Sequence, residues 1–463
     1  MTSPSRQADA GRDRLSEIAK LVGALIPDAV TTSIVLLIVV FASAIWLGNP
    51  LETVAEAYYR GLWMLLAFTM QMTLILVLSS ALGAAPFFRR AIALLSKQPK
   101  TESAVLAMCV VGGATMSYLY WGLGYALNPL IAVYFAREAE KKGLCVDFPF
   151  LLATTVASGS VWQYGFSASG PLLMNTPGHF LEAITGIMPL STTIFSPAAK
   201  VFVIGFLILV FLAARLLMPK KPRLISEFSD ACNLADEGDA AREKPKATPS
   251  SSASGTFSER LEDNPGPTAL LALALAGWLY YHFFVKGLGL ELNALNTTLL
   301  FLCLVFHRSI RKFSKVLPAA VMTAWPVVVL YHLYAGVAGV IQYTSVGEDV
   351  VTVFASFSTP FTFPLLTALA GTLMAVFVPS SGGQWVIQGF ITSKTAQAIG
   401  VSAQRGLLAL GIGDHMGNLL SPFWAVIVGS IARIDYRQYF GYNLVFAAIW
   451  FTYGVLCFTF LPA

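Results

Sequence analysis

The sequence predicts an all-α polytopic membrane protein, with about nine spans and two re-entrant hairpins in two halves of inverted topology. Three observations predict it. Hydrophobic residues make up 56% of the 463 and charged residues 12%, against about 25% charged in soluble domains. Five apolar runs, Ala29–Leu47, Gly61–Ala84, Ala198–Met218, Val316–Ile341 and Phe440–Leu461, reach the roughly 17–25 residues that a helix needs to cross a bilayer. Lys and Arg gather in alternate loops, as they do on the cytoplasmic side of membrane proteins. The runs are solidly apolar and do not alternate, which argues against a β-barrel and leaves helices as the spanning element.

Composition also bounds function. The net charge of +5 comes from Lys and Arg spread over loops, so no nucleic-acid partner is expected. Cys109, Cys145, Cys232, Cys303 and Cys457 never form C-x-x-C and mostly lie in or beside apolar runs. Neither a disulfide framework nor a zinc site is expected, and they read as small packing residues. No catalytic residue, metal site or cofactor is predicted, apart from Na⁺ as a candidate coupling ion. Residues 1–28 are polar and the first apolar run is a full span, so no cleavable signal peptide is expected.

Charge orders the elements. Residues 1–28, with Arg6, Arg12, Arg14 and Lys20, are placed in the cytoplasm. The first span leads out to Arg60, and Gly61–Ala84 returns to Arg89, Arg90, Lys97 and Lys100. Residues 103–136 are apolar but interrupted at Tyr120-Trp-Gly-Leu-Gly124, with basic clusters at both ends. Arms of about 14–17 residues are short for a crossing, so a re-entrant hairpin is expected. Residues 148–175 then cross outward and Ala198–Met218 returns. The hydrophilic segment 219–267, containing Thr248-Pro-Ser-Ser-Ser-Ala-Ser-Gly255, is expected to be a flexible cytoplasmic linker. It separates membrane halves 29–218 and 268–463.

In the second half, Thr268–Val285 goes out and Leu292–Phe306 comes back to Arg308, Arg311, Lys312 and Lys315. Val316–Ile341 goes out to Glu348 and Asp349. A second hairpin, 351–399, is interrupted at Pro379-Ser-Ser-Gly-Gly-Gln384. Residues 403–432 cross inward, and Phe440–Leu461 leaves the C-terminus outside. Of the 30 Lys and Arg, only Arg60, Lys200, Lys286, Lys394 and Arg405 fall on the outer side.

Each half also carries a span interrupted in its middle, at Ala157–Pro171 and at Gly411–Pro422. Unwound backbone inside a bilayer is tolerated only where protein or a water-filled cavity satisfies it. In transporters such breaks hold substrate and coupling ions. Helix packing by small residues is the better explanation of a single Gly-Ser cluster. Four clusters, paired across two halves and rich in Gln, Asn, Trp and Pro, point to a binding site. The candidate substrate-binding residues of the first half are Trp121, Gly122, Gly124, Gln163, Ser167, Ser169 and Gly170. Those of the second are Ser380, Ser381, Gly382, Gly383, Gln384, Trp385, Gln388 and Asn418. Asp414, expected in unwound backbone, and His415 are the candidate coupling-ion residues, because an intramembrane carboxylate is a functional hypothesis by default. A carboxylate capping a half-helix is the competing role. Trp121, Trp162, Trp385 and Trp424 all fall at or near breaks, where they serve either as interface anchors or as walls of an apolar slot.

At these clusters the sequence resembles the bacterial short-chain fatty acid transporter family. The pieces that carry the resemblance are Leu65–Met72, Trp121-Gly-Leu-Gly124 running to Phe135-Ala-Arg-Glu138, and Gly165-Phe-Ser-Ala-Ser-Gly-Pro-Leu-Leu173 with Thr176-Pro-Gly178. Val378-Pro-Ser-Ser-Gly-Gly-Gln-Trp-Val-Ile-Gln-Gly389 and Pro422-Phe-Trp-Ala425 complete them. The sequence departs from the family pattern at Tyr164-Gly165, Ser381, Phe390 and Asp414. The resemblance implies uptake of acetoacetate, butyrate or similar monocarboxylates across the bacterial inner membrane, coupled to H⁺ or Na⁺. It also implies an elevator-type architecture, usually dimeric, with the lipid bilayer and a small organic acid as partners. Another organic anion, such as a di- or tricarboxylate, is the alternative substrate. An enzyme is not expected: the five His are far apart, with no H-x-x-x-H and no G-x-S-x-G turn. A channel is the remaining class.

Overall fold

The protein is described by a computed structural model that covers residues 29–234 and 256–462. Residues 1–28 and most of the expected linker core, including Thr248–Gly255, lie outside the described residues. Among the described residues every regular element is helical. Seven helices are long and apolar enough to cross a membrane: Ala29–Trp46, Leu51–Gly83, Glu102–Leu119, Pro197–Leu217, Pro265–Val285, Trp325–Tyr343 and Phe440–Phe460. Ala403–Leu420 followed by Trp424–Ala432, bent by 56°, brings these to eight. The chain is thus a multi-pass α-helical membrane protein. Leu292–His307 is helical but shorter.

Local chemistry explains the breaks. Glu102–Leu119 and Trp121–Lys141 are separated only by Tyr120, whose φ of −150° and ψ of 121° are extended. They have 18 and 21 residues, longer than the arms expected from sequence. The expected break after residue 157 is present: Phe148–Ser158 gives way to a 3₁₀ turn, Gly159–Tyr164, a loop, and the short helix Ser169–Asn175. The stretch 351–399 expected as the second hairpin begins inside a separate helix, Ser345–Phe357, so the hairpin is narrower than expected: its arms, Phe363–Phe377 and Ser381–Ala398, are separated by residues 378–380. Ser380 starts the second arm by accepting the Gly383 N–H at 3.4 Å, a serine N-cap.

Two expectations are corrected. The run Val316–Ile341 is two helices, Ile310–Met322 and Trp325–Tyr343. Pro326 has no N–H to give Met322 and its ring opposes that carbonyl, so the first helix stops there. The stretch Gly411–Pro422 does not unwind: Ala403–Leu420 is continuous and breaks only at Ser421, before Pro422. Gly413 and Gly417, one turn apart, serve packing instead. A Cβ on Gly413 would overlap the Ala368 carbonyl oxygen, and one on Gly417 the Cβ of Ala375. Small residues at this spacing bring helix backbones together in membranes.

The chain forms two compact units. The first comprises 29–64, 196–212 and 332–462. In it, Phe363–Phe377 lies along Ala403–Leu420 at those glycines. Trp450 donates its indole N–H to the Ile412 carbonyl at 3.0 Å and packs against Phe202 and Phe206. Leu51–Met64 crosses the 332–343 stretch with Gly61 against Gly339. The second unit comprises 65–195, 213–234 and 256–331. Here Glu102–Leu119 packs on Trp121–Lys141 and on the Gly159 turn. Buried Asp147 accepts the Phe150 N–H at 2.8 Å and the Arg223 N–H at 3.0 Å, which ties the start of the Phe148 helix to the segment after Leu217.

Candidate functional site

The candidate residues fall into two buried polar clusters, one in each unit. In the second unit the hairpin tip and the broken span are joined by backbone pairing. Trp121 N–H donates to Ser167 Oγ at 2.9 Å, and Phe166 N–H to the Tyr118 carbonyl at 2.9 Å. Gly165 is required there, because a Cβ would strike the Tyr118 carbonyl. The Trp121 and Trp162 rings stand 6.1 Å apart. Gln163, Ser167, Ser169 and Gly170 are buried beside them in sequence. Gly122 and Gly124 make close packing possible: a Cβ on Gly122 would meet Ser79 and one on Gly124 would meet Ser117.

Ser117 is the junction of this cluster. Asn128 Nδ2 donates to its hydroxyl at 3.0 Å, and Gly159 closes on both. Among the described residues, the Trp121 indole N–H, Asn128 Oδ1 and Ser160 Oγ are buried with no hydrogen-bond partner. Leaving such groups unpaired costs free energy, which makes them candidate contacts for a bound molecule. Ser117 and Asn128 are absent from the candidates drawn from sequence. The available signal was Asn128-Pro129, a polar residue before a proline inside an apolar helix.

In the first unit Gln384, fully buried, donates to the Gly371 carbonyl at 2.7 Å and to Gln388 Oε1 at 2.8 Å. Gln388 donates to the Ala370 carbonyl at 3.4 Å. The hairpin arms are thus tied by carboxamides near their broken end. Gly382 and Gly383 are buried, and Gly383 allows the Tyr334 ring to pack on the arm. Trp385 is buried, and among the described residues neither its indole N–H nor Gln384 Oε1 has a hydrogen-bond partner. Ser381 is half-buried at the helix start.

Asp414, His415 and Asn418 are buried on the continuous Ala403–Leu420 helix, not in unwound backbone as expected. Asn418 Nδ2 donates to Asp414 Oδ2 at 3.3 Å, and Trp424 Nε1 donates to Asn418 Oδ1 at 3.1 Å. The His415 ring meets Trp450 edge-on at 4.8 Å. Asp414 lies far from the helix start at Ala403, so it does not cap that helix. Sequence reasoning also missed Gly371, the residue against which both Gln384 and Asp414 are placed.

Comparisons with known proteins agree with this architecture. Residues 13–461 match the sequence profile of a family described as short chain fatty acid transporter. A protein of Escherichia coli (strain K12), provisionally named a short-chain fatty acid transporter, is 28% identical over 446 residues, 95% of this chain and 98% of its own length. A Haemophilus influenzae protein of the same provisional name is 27% identical over 449 residues, 93% of this chain and 96% of its own. The crystal structure of the Alcanivorax borkumensis YdaH transporter shares the fold, with a TM-score of 0.56 at 13% identity, over 94% of this chain and 97% of that one. The chain, matched along nearly its whole length, belongs to the short-chain fatty acid transporter family.

Proposed function

We propose that the protein is a secondary active transporter that carries short-chain monocarboxylates, such as butyrate or acetoacetate, across the bacterial inner membrane. The observation that carries this reading is a pair of buried indole N–H donors, Trp121 and Trp385, that have no hydrogen-bond partner among the described residues. Each stands in the first turns of a helix that follows a break. A neutral donor beside a helix N-terminus suits one carboxylate, since the helix dipole favours negative charge there. The indole ring suits a short acyl chain.

In this reading both broken hairpins are re-entrant and the halves are inverted repeats, as in other transporters with discontinuous helices. The N-terminus is cytoplasmic by the distribution of Lys and Arg. The cycle is of the elevator type and the assembly a homodimer, both carried over from the resemblance. Asp414 takes up the coupling cation, Na⁺ or H⁺, with His415 beside it. An intramembrane carboxylate costs roughly 2.5–3.5 kcal/mol on insertion scales, and a cation bound for part of the cycle offsets that cost. Competition in reconstituted liposomes tests the substrate class. Unlabelled butyrate and acetoacetate should displace labelled butyrate uptake. Stronger displacement by succinate or citrate would move the assignment to a di- or tricarboxylate carrier.

A further inference from the structure

The second unit holds a cavity that belongs to neither cluster. Pro265–Tyr280 and Leu292–His307 pack side by side and leave a groove of about 380 Å³ between them, within the roughly 300–1,000 Å³ of ligand pockets. Its walls are apolar, with Ala272, Leu273 and Ala276 on one helix and Phe301 and Leu304 on the other. Leu273 is 71% exposed, so the groove opens on the apolar flank of its helix.

One end of the groove is closed by Arg308. This arginine follows the last turn of its helix with a left-handed φ of 63°, which costs free energy for any residue but glycine. Its carbonyl accepts the Thr268 hydroxyl at 3.0 Å, and Thr268 lines the same groove. The backbone of Arg308 is thereby pinned where the residue lines the groove. Arg311, one turn on, is occupied by Glu262 at 3.5 Å and Asp263 at 3.0 Å. Among the described residues no carboxylate is paired with Arg308. An apolar slot lined at one end by an arginine with no carboxylate partner among the described residues, in a basic loop that the charge rule places in the cytoplasm, suits a chain with an anionic head.

We propose that this groove binds one anionic phospholipid, with an acyl chain between the two helices and the phosphate headgroup on Arg308. Arginine pairs with phosphate by bidentate hydrogen bonds, and cytoplasmic leaflets carry the anionic lipids. A zwitterionic lipid brings its own ammonium and gains less from Arg308. A free phosphate would leave the apolar slot empty.

The test is native mass spectrometry of the full chain, in mild detergent, with phosphatidylglycerol or phosphatidylcholine of equal chain length. The wild type should retain one phosphatidylglycerol per chain in preference to phosphatidylcholine. Arg308→Gln should lower that preference about fivefold, the worth of one basic residue near a membrane surface. Arg308→Gly removes the same charge on a backbone that suits glycine, so it should fold and lose the preference alike. Arg311→Gln should keep it. Ala272→Phe fills the slot and should reduce retention of both lipids. Equal retention of the two lipids by the wild type would overturn the proposal, as would an unchanged preference in Arg308→Gly. Displacement of the lipid by glycerol phosphate alone would overturn it too. If Ala272→Phe instead splits a dimer and leaves lipid retention unchanged, a second copy covers the groove and the proposal fails.

Discussion

The side-chain amide of Gln384 donates to the carbonyl of Gly371 across the second hairpin, 2.7 Å away. That bond orients the carboxamide, since Nε2 also serves Gln388 at 2.8 Å. Oε1 is buried without a partner among the described residues. A Cβ on Gly371 would stand 3.3 Å from the Asp414 backbone nitrogen. The bare glycine thus brings its helix close to the turn that carries Asp414, while its carbonyl holds the Gln384 amide.

Asp414→Asn keeps the size of the side chain and an oxygen for Asn418, but removes the charge. It should abolish gradient-driven accumulation while leaving folded protein in the membrane. Asp414→Glu should retain part of the activity. Wild-type accumulation in the Asn variant, measured under an imposed Na⁺ or pH gradient, would leave Asp414 a packing residue.

Trp121→Phe and Trp385→Phe each delete an unpartnered indole N–H and keep an aromatic ring. Each should raise the KM for butyrate about tenfold, equal to about 1.4 kcal/mol of lost binding. Melting temperature should change little, because no internal hydrogen bond is lost. An unchanged KM in both variants would remove the indoles from substrate recognition.

Two glycines separate packing from mere helix occupancy. Gly413 has no room for a Cβ, so Gly413→Ala should destabilise by about 1–3 kcal/mol through overpacking. Gly277 has nothing within 4 Å of a would-be Cβ. Gly277→Ala should stabilise by about 0.5–1 kcal/mol, because glycine is a poor residue in a helix interior. Thermal unfolding in one detergent compares the two directly, and the same sign for both would contradict the packing geometry.

His179 should make the 178–188 loop sensitive to pH. Its Nε2–H donates to the Gly186 carbonyl at 3.2 Å and its Nδ1 accepts the Leu181 N–H at 3.3 Å, a pattern only the neutral ring satisfies. Burial holds the imidazole below its ordinary value, against a smaller upward pull from the Gly186 carbonyl and Glu182. A histidine depressed in the folded state contributes stability above its unfolded value, near 6.5, and loses it as pH falls. Amide exchange in the loop, corrected for intrinsic rates, should be slow at about pH 7.5 and faster at about pH 5. His179→Phe should flatten that difference, and a pH response that survives in this variant would place the titrating group elsewhere.

Sequence alone shows where the helices break but not always which residue makes the break. The breaks at Tyr120 and Ser380 were legible to within a few residues, because Gly-rich, Trp-bearing strings interrupt apolar runs there, but Trp121–Gly124 and Ser381–Gln384 themselves begin the following helices instead of unwinding. Gly411–Pro422 was misplaced because glycine has two uses in a membrane helix, unwinding and close packing. Only the neighbouring Ala368 carbonyl and Ala375 methyl decide between them. Pro326 was hidden inside an apolar run that met the length of a span. Gly371, Ser117 and Asn128 gain their meaning from contacts across elements, which no local pattern encodes.

Coupled carriage of a short-chain monocarboxylate is tested most directly by uptake of labelled butyrate into proteoliposomes. Inward Na⁺ and inward proton gradients are imposed separately, with the membrane potential clamped. One of them should drive butyrate above its external concentration, with saturation, and collapse of that gradient should release it. Uptake that only equilibrates, without saturation and indifferent to both gradients, would contradict the account and indicate a channel.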